Sequence, residues 1–474
     1  METSNLTACC RRLILVVHKI TPTERAVFAL GLLLRLYLTA VNAEANDNHL
    51  TVIRVIANEH RLPRVGEAWE GFQPKLYHVA VAILWNLSPA QSRAVQVRIA
   101  QLVACSAGIA TLFLVCRALL QWDISPPVRL LTFALVALNP TLIGLNAQAT
   151  NDSFVILFAT LALVEGGEFF RTGARRAFIV MSASVVLAAL SKGNGLVVFV
   201  AVTMALVLAI VGRDAVTGVS RRQLVGLSAV FFGAFLAFTA TLGSYGANWA
   251  DTGNPFAING PRAPLPHLVK RTYVYRPGTT SIAETYFSFR FFDMLKHPMI
   301  TNDGFVYPLH RTSLWSQLYG RAHFGHFAQH PPSWKNTSPL ILTVGRLILV
   351  LALLPTAFLL TGMIRAVTAM MVWGRRQPSS RGAMLDQTLL VLAAAGFIGF
   401  IIVYTISYRD FSTMKAEFLF PAMLAYLFFF AHEAQRADVW CAPWPRLRGS
   451  VHWVLAILLT LYVTDVVVLA VQLT

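Results

Sequence analysis

The sequence predicts an all-α polytopic membrane protein of about eleven transmembrane helices, with interfacial helices in its first outer loop. Three observations carry that prediction. Hydrophobic residues make up 56% of the 474 positions and charged residues only 13%, against roughly 25% charged in soluble domains. Apolar stretches of the bilayer-crossing length, about 18 residues or more, recur from end to end. The period-two alternation of a membrane β-barrel is not evident.

The spans are read near 25–41, 96–118, 128–146, 153–170, 176–190, 195–212, 222–245, 341–362, 386–405, 415–432 and 451–473. The first is a retained helix, because no small-residue cleavage site follows its apolar run. One further run, "PKLYHVAVAILWNLS" at 74–88, is short for a span and typical of an interfacial or re-entrant segment. Charge decides its status. If it does not cross, eighteen Lys and Arg fall in cytoplasmic pieces and nine in short outer loops. If it crosses, the bias reverses, so the positive-inside rule favours 42–95 as one outer loop. The formal net charge of +17 then reads as basic loops held against anionic lipid. A nucleic-acid partner is not expected, because no basic stripe with interleaved aromatics appears. Cys9, Cys10, Cys105, Cys116 and Cys441 show no metal-ligand spacing.

Three parts follow: a transmembrane module over 1–245, a long outer loop over 246–340, and C-terminal spans over 341–474. The long loop carries "ETYFSFRFFDMLKHP" and "RTSLWSQLYGRAHFGHF". This aromatic and basic content predicts short helices packed on the membrane surface.

The ionisable groups gather at one rim. Leu50, Ile53, Ile56 and Ala57 recur at helical spacing, which predicts an amphipathic interfacial helix over 48–60. Asp47 and His49 sit at its start, where a carboxylate is favoured by the helix dipole; Asp47 acting only as a helix cap is the plainer alternative. Glu44 precedes it by three residues. Asp152, Lys192, Lys415 and Glu417 fall at the same rim. Pro74 predicts a helix start, which puts Lys75 at the positive end of that helix. A cation is poorly placed there unless an anion such as a diphosphate or phosphodiester is nearby, or unless it simply lies among headgroups.

These elements resemble a known family. The acidic first outer loop, "QPKLYH" at 73–78, the "TND" turn ending at Asp152, a long loop after the seventh span and "STMKAEFLFPAMLAY" at 412–426 are similar to the GT-C glycosyltransferases. Within them, protein O-mannosyltransferases and the aminoarabinose transferases of lipid A look nearest. The resemblance covers about the first 200 residues plus 407–425. Lys75 and Glu417 depart from the usual residues at their positions.

The resemblance implies a hexosyl- or pentosyltransferase with a polyprenyl-phosphate sugar as donor. An acidic residue of the first outer loop is the base on the acceptor hydroxyl, here Asp47 with Glu44 assisting, and the reaction inverts the anomeric centre. Leaving-group cations would come from Lys75, Lys192, Arg290, Arg321 and Lys415. Asp152, His49 and Glu417 would orient the acceptor or a cation; a divalent metal held by His49 and the carboxylates is compatible with this, though scattered ligands do not establish one. The acceptor is a protein, lipid or glycan. The chain is expected in a bacterial inner membrane rather than the endoplasmic reticulum, with the site on the outer or lumenal face. Two other classes compete. A transporter would place charges at midplane on broken helices. An O-antigen ligase or polymerase type of enzyme would rely on Arg and His of the long loop, such as Arg311, Arg321, His323, His326 and His330.

Overall fold

Apolar length dictates the architecture, and the computed structural model describes residues 19–89, 92–211, 216, 218–256, 281–300, 309–328, 332–373, 381–407 and 413–474. The first part holds helices α1 (Pro22–Val41), α2 (His49–Glu59), α3 (Leu76–Leu87), α4 (Arg93–Leu119), α5 (Pro126–Ala137) and α6 (Pro140–Asn146). It continues with α7 (Asp152–Thr172), α8 (Arg175–Ser191), α9 (Leu196–Val211), α10 (Arg221–Leu242) and α11 (Ser244–Thr252). The long loop contributes α12 (Ile282–Phe287), α13 (Phe291–Lys296) and α14 (Leu314–His323). The C-terminal part is α15 (Pro339–Leu351), α16 (Leu353–Trp373), α17 (Arg381–Ser407), α18 (Met423–Cys441) and α19 (Pro445–Leu473). Among the described residues the only strand-like feature is an isolated bridge between Val65 and Ala68.

The protein is an all-α integral membrane protein. Seven helical segments are long and apolar enough to cross a bilayer, or eight if the bent pair α5–α6 is one span. The expected count of eleven is not confirmed among the described residues. Three expected spans fall short for different physical reasons: α8 has 17 residues, about 25 Å of rise; α1 carries Glu24, Arg25 and Arg35; α18 carries Glu433, Arg436 and Asp438.

The α5–α6 bend of 46° sits at Asn139-Pro140. Pro140 supplies no N–H, and the Asn139 side chain caps the second half by accepting from the Leu142 amide at 2.9 Å. The expected span 415–432 also starts later. Residues 416–418 and 420–422 form short 3-10 turns, and α18 begins only after Pro421, whose missing N–H and ring disfavour an α-helix interior. Lys415 and Glu417 are thereby released from the span.

Helix α7 is the centre of the bundle. It packs on α4, α8 and α17, and 72% of its apolar window is buried, against 22% for α10. Gly166 and Gly167 allow the close approach of α17: a Cβ at Gly167 would stand 2.3 Å from the Asp386 carboxylate. Helix α2 buries Leu50, Val52, Ile53 and Ala57 against α3, and α3 lies on α4. The rim loops are thus mounted on the rigid interior rather than on the periphery.

Candidate active site

The segment between α1 and α2 is clamped before it presents Asp47. The Asn42 side chain donates to Ala147 O at 2.9 Å, and the Gln101 amide on α4 donates to Asn42 O and Glu44 O at 3.0 and 2.8 Å. The Ala149 amide donates to Ala45 O at 3.0 Å. Asn46 turns the chain with φ of 69°, a left-handed conformation that asparagine tolerates.

Asp47 does not cap α2. The cap position is Asn48, which makes no side-chain capping bond. The Asp47 carboxylate accepts the Asn48 amide at 2.8 Å and faces His49 Nε2 at 3.4 Å, with 37% of the side chain open to solvent. The other ring nitrogen of buried His49 lies 2.9 Å from Nε2 of buried His78. A charged His49 with a neutral His78 satisfies both bonds. Burial opposes charge on His49, but Asp47 outweighs it and raises the imidazole, with Glu70 adding. Burial lowers His78 far below its ordinary value, and the His49 and Lys75 charges add to that. Burial would raise Asp47; His49 and then Lys415 outweigh it and hold the carboxyl well below the usual range.

The opposite wall comes from the turns beside α7 and α8. Lys192, extended at the C-terminal end of α8, donates to Asp152 Oδ1 at 2.7 Å, and Thr150 Oγ1 donates to Asp152 Oδ2 at 3.0 Å. Burial opposes the ammonium, yet Asp152, Glu70 and Asp47 together raise its affinity for the proton. The ammonium also stands 5.3 Å from the centre of the Phe418 ring, a cation–π distance. Lys415 completes the set through its field on Asp47 and Glu70.

Of the expected residues, the structure brings Asp47, His49, Asp152, Lys192 and Lys415 together. It adds Glu70, missed by the sequence reading, whose carboxyl is raised by burial and by Asp47 against the pull of His49, Lys192 and Lys415. Other residues lie elsewhere. Glu44 accepts from Ser333 Oγ at 2.9 Å, on a turn beside α19. Lys75 is the cap residue of α3 and is buried. Its ammonium is held by Gly71 O at 2.7 Å, by Gln73 O and by Ser244 Oγ at 3.1 Å. Those three bonds use all its protons, and burial lowers its pKa to about 7, so Lys75 fastens the turn 71–75 to α11 rather than facing an anion. Arg290 pairs with Glu284 at 2.6 Å. Arg321 is buried in α14, whose last turn is tied down by Thr141 to Arg321 O at 2.6 Å. One oxygen of Glu417 is buried without a hydrogen-bond partner among the described residues.

His49 has neither ring nitrogen left for a metal. Among the described residues, no three His, Cys, Asp or Glu side chains form a group that could hold one. The metal ligation open to His49 from the sequence is therefore not supported by the geometry.

His323 and His326 of the long loop are turned inward. His323 bonds Tyr462 through Nδ1 and Thr356 at 3.2 Å through Nε2, and burial lowers its pKa to about 4. His326 Nδ1 bonds the Asp465 carboxylate, whose other oxygen accepts the Gly325 amide at 2.7 Å. His330 lies outside the described residues.

Among solved structures, the chain is similar to ArnT from Cupriavidus metallidurans bound to undecaprenyl phosphate, at 13% identity over 88% of this chain and 78% of that one, with a TM-score of 0.37. The same protein in its apo state matches at 12% identity over 92% and 79%, with a TM-score of 0.36. No family model and no curated protein matches the chain.

Proposed function

We propose that the protein transfers a sugar from a polyprenyl-phosphate donor to an acceptor hydroxyl at the membrane rim where these charges meet. The observation that carries this is the gathering of the Asp152–Lys192 pair at 2.7 Å and the Asp47–His49 pair at 3.4 Å at one rim, with Glu70 acting on His49 and Lys192, and Lys415 acting on Asp47. The resemblance of the rim motifs to GT-C transferases supports the same reading.

In this reading Asp47 takes the acceptor proton as the acceptor oxygen attacks the anomeric carbon. The bond from that carbon to the phosphate oxygen breaks, and both its electrons leave with the lipid phosphate. Attack opposite the leaving group inverts the centre. Lys192 and Lys415 neutralise the departing phosphate, so no acid need protonate it. Asp152 holds Lys192 extended toward the rim. Lys75 acts only by fixing the turn that carries Glu70. The sugar is a hexose or pentose, the acceptor a protein, lipid or glycan, and the site faces the outer or lumenal side.

The ligase-type alternative needs accessible imidazoles in the long loop; His323 is bonded through both ring nitrogens, and His326 is bonded to α19 through Nδ1 and has its Nε2 buried. The test is transfer of radiolabelled sugar from a polyprenyl-phosphate donor by the purified chain. Product from the wild type and none from Asp47→Asn is expected. Equal product from both, or no product with any such donor, overturns the proposal.

A further inference from the structure

Helices α12 and α13 and the residues between them leave an aromatic edge exposed. Phe287 is 86% exposed, Phe292 79%, and Ile282 and Phe289 are also exposed. These side chains belong to the long loop, not to a span. Their opposite faces are well anchored. Met294 of α13 packs with Ile341, Val344 and Ile348 of α15, and Arg346 Nε donates to Leu295 O at 2.8 Å. Tyr286 of α12 reaches Ile402 O at 3.4 Å and Thr405 Oγ1 at 3.2 Å on α17.

Those anchor points fix a depth. The span from Pro339 is 34 residues long, about 51 Å. The hydrocarbon core is about 30 Å, so an upright helix centred in it leaves about 10 Å outside at each end. Arg346 lies about 10 Å from the Pro339 end by the same rise. Helix α17 has 27 residues, about 40 Å, which leaves about 5 Å outside at each end. Ile402 lies about 7 Å from its Ser407 end. Two independent helices thus place α12 and α13 at the boundary between headgroups and acyl chains. The neighbouring lipid-side residues Leu347 and Val350 on α15, and Val403 and Ile406 on α17, are exposed and apolar, so the aromatic edge continues a lipid-facing surface. Arg290 and Lys296 supply the basic residues usual at that level.

The geometry points to an insertion element: the Phe287, Phe289 and Phe292 edge is buried among the acyl chains of the leaflet on the site's side of the membrane. This holds whether or not the sugar-transfer reading does. Tyr286 and Phe418 both pack on the apolar cluster of Leu314, Leu318, Ile401 and Met414, and Phe418 lies under the Lys192 ammonium, so one apolar cluster links the insertion element to the rim charges.

The test uses the full chain, freed of its native cysteines, in vesicles of phosphatidylethanolamine and phosphatidylglycerol. Nitroxide labels are placed by Phe287→Cys, Phe292→Cys and, on the lipid side of α17, Val403→Cys. The first two should match Val403→Cys in favouring collision with oxygen over a water-soluble nickel chelate, at a depth of about 5–10 Å. Preference for the nickel reagent overturns the inference, because the edge is then in water. Exclusion of both reagents overturns it too, because protein then covers the edge. If the cysteine-free chain fails to fold, the unaltered protein is irradiated in vesicles carrying a diazirine phospholipid. Adducts on 282–292 are expected, and their absence contradicts the insertion.

Discussion

The two polar loops of this protein hold the same kinds of residue and use them in opposite ways. Around residues 42–78 the charges converge from different elements and stay partly open: Asp47 from the loop before α2, Glu70 from the turn before α3, joined by Lys192 from the end of α8 and Lys415 from the turns before α18. In residues 309–328 the polar groups are turned inward. His323 bonds Tyr462 and Thr356 and His326 bonds Asp465 through Nδ1, while Nε2 of His326 and Oε1 of Gln317 are buried without a hydrogen-bond partner among the described residues. An ionisable group inside an apolar bundle is costly unless it is paired. The second loop is therefore docked by its polar residues. The first gathers paired charges, Asp47 with His49 and Asp152 with Lys192, at one rim where Asp47 stays partly open to solvent.

The largest expected effect breaks or keeps that contrast directly. Asp47→Asn should lower the transfer rate by about 10²–10⁴, the usual contribution of a general base, while His326→Ala leaves the rate within about threefold. The reverse outcome would move the chemistry to the second loop. Parallel turnover assays under saturating donor decide between them.

The Lys192–Asp152 pair is next. Both side chains are largely buried, 13% and 10% exposed. Asp152→Asn should cost roughly 3–5 kcal/mol by leaving the ammonium without its partner. Lys192→Met combined with Asp152→Leu should recover most of that stability but no activity. Thermal unfolding and transfer, measured on the same samples, separate the two roles. Recovered activity in the double variant would make the pair structural only.

His326→Ala should act on stability instead. It removes one charge-assisted bond to Asp465, worth about 1.5–3 kcal/mol, and should lower the melting temperature without changing the donor KM.

The smallest effect is a pH slope. Lys75 titrates at about 7 in the folded protein, because burial disfavours its charge, against about 10.4 unfolded. Between those values the unfolded chain binds the extra proton, so stability should rise as pH increases from about 7 toward 10. Below 7 the burial penalty is present in full. Lys75→Met should flatten the rise seen in melting temperature against pH. An unchanged slope would show that Lys75 is solvated.

Much of the first loop is legible in the sequence. The apolar spacing of Leu50, Ile53 and Ala57 predicts 48–60 and the helix runs over 49–59; the run 74–88 becomes the twelve-residue α3. Local signals fail where the answer is tertiary. The Lys75 cage depends on Ser244, 169 positions away. The Lys192–Asp152 pair bridges 40 positions, so the sequence puts both residues at one rim without showing that they bond each other. Glu70 sits in "AWEGF", which carries no pattern; only the fold of the turn brings it to Asp47. Asp465 could have been found, since it is the one acidic residue in the apolar run 451–473, and such a residue implies a partner.

Binding of a polyprenyl phosphate, followed by its effect on intrinsic fluorescence, tests the central claim most directly. The wild type should bind it, and Lys192→Met with Lys415→Met should weaken binding by about 10²-fold, about 1.4 kcal/mol per lost charge. Undiminished binding by the double variant would contradict the assignment of these two ammonium groups to the lipid phosphate.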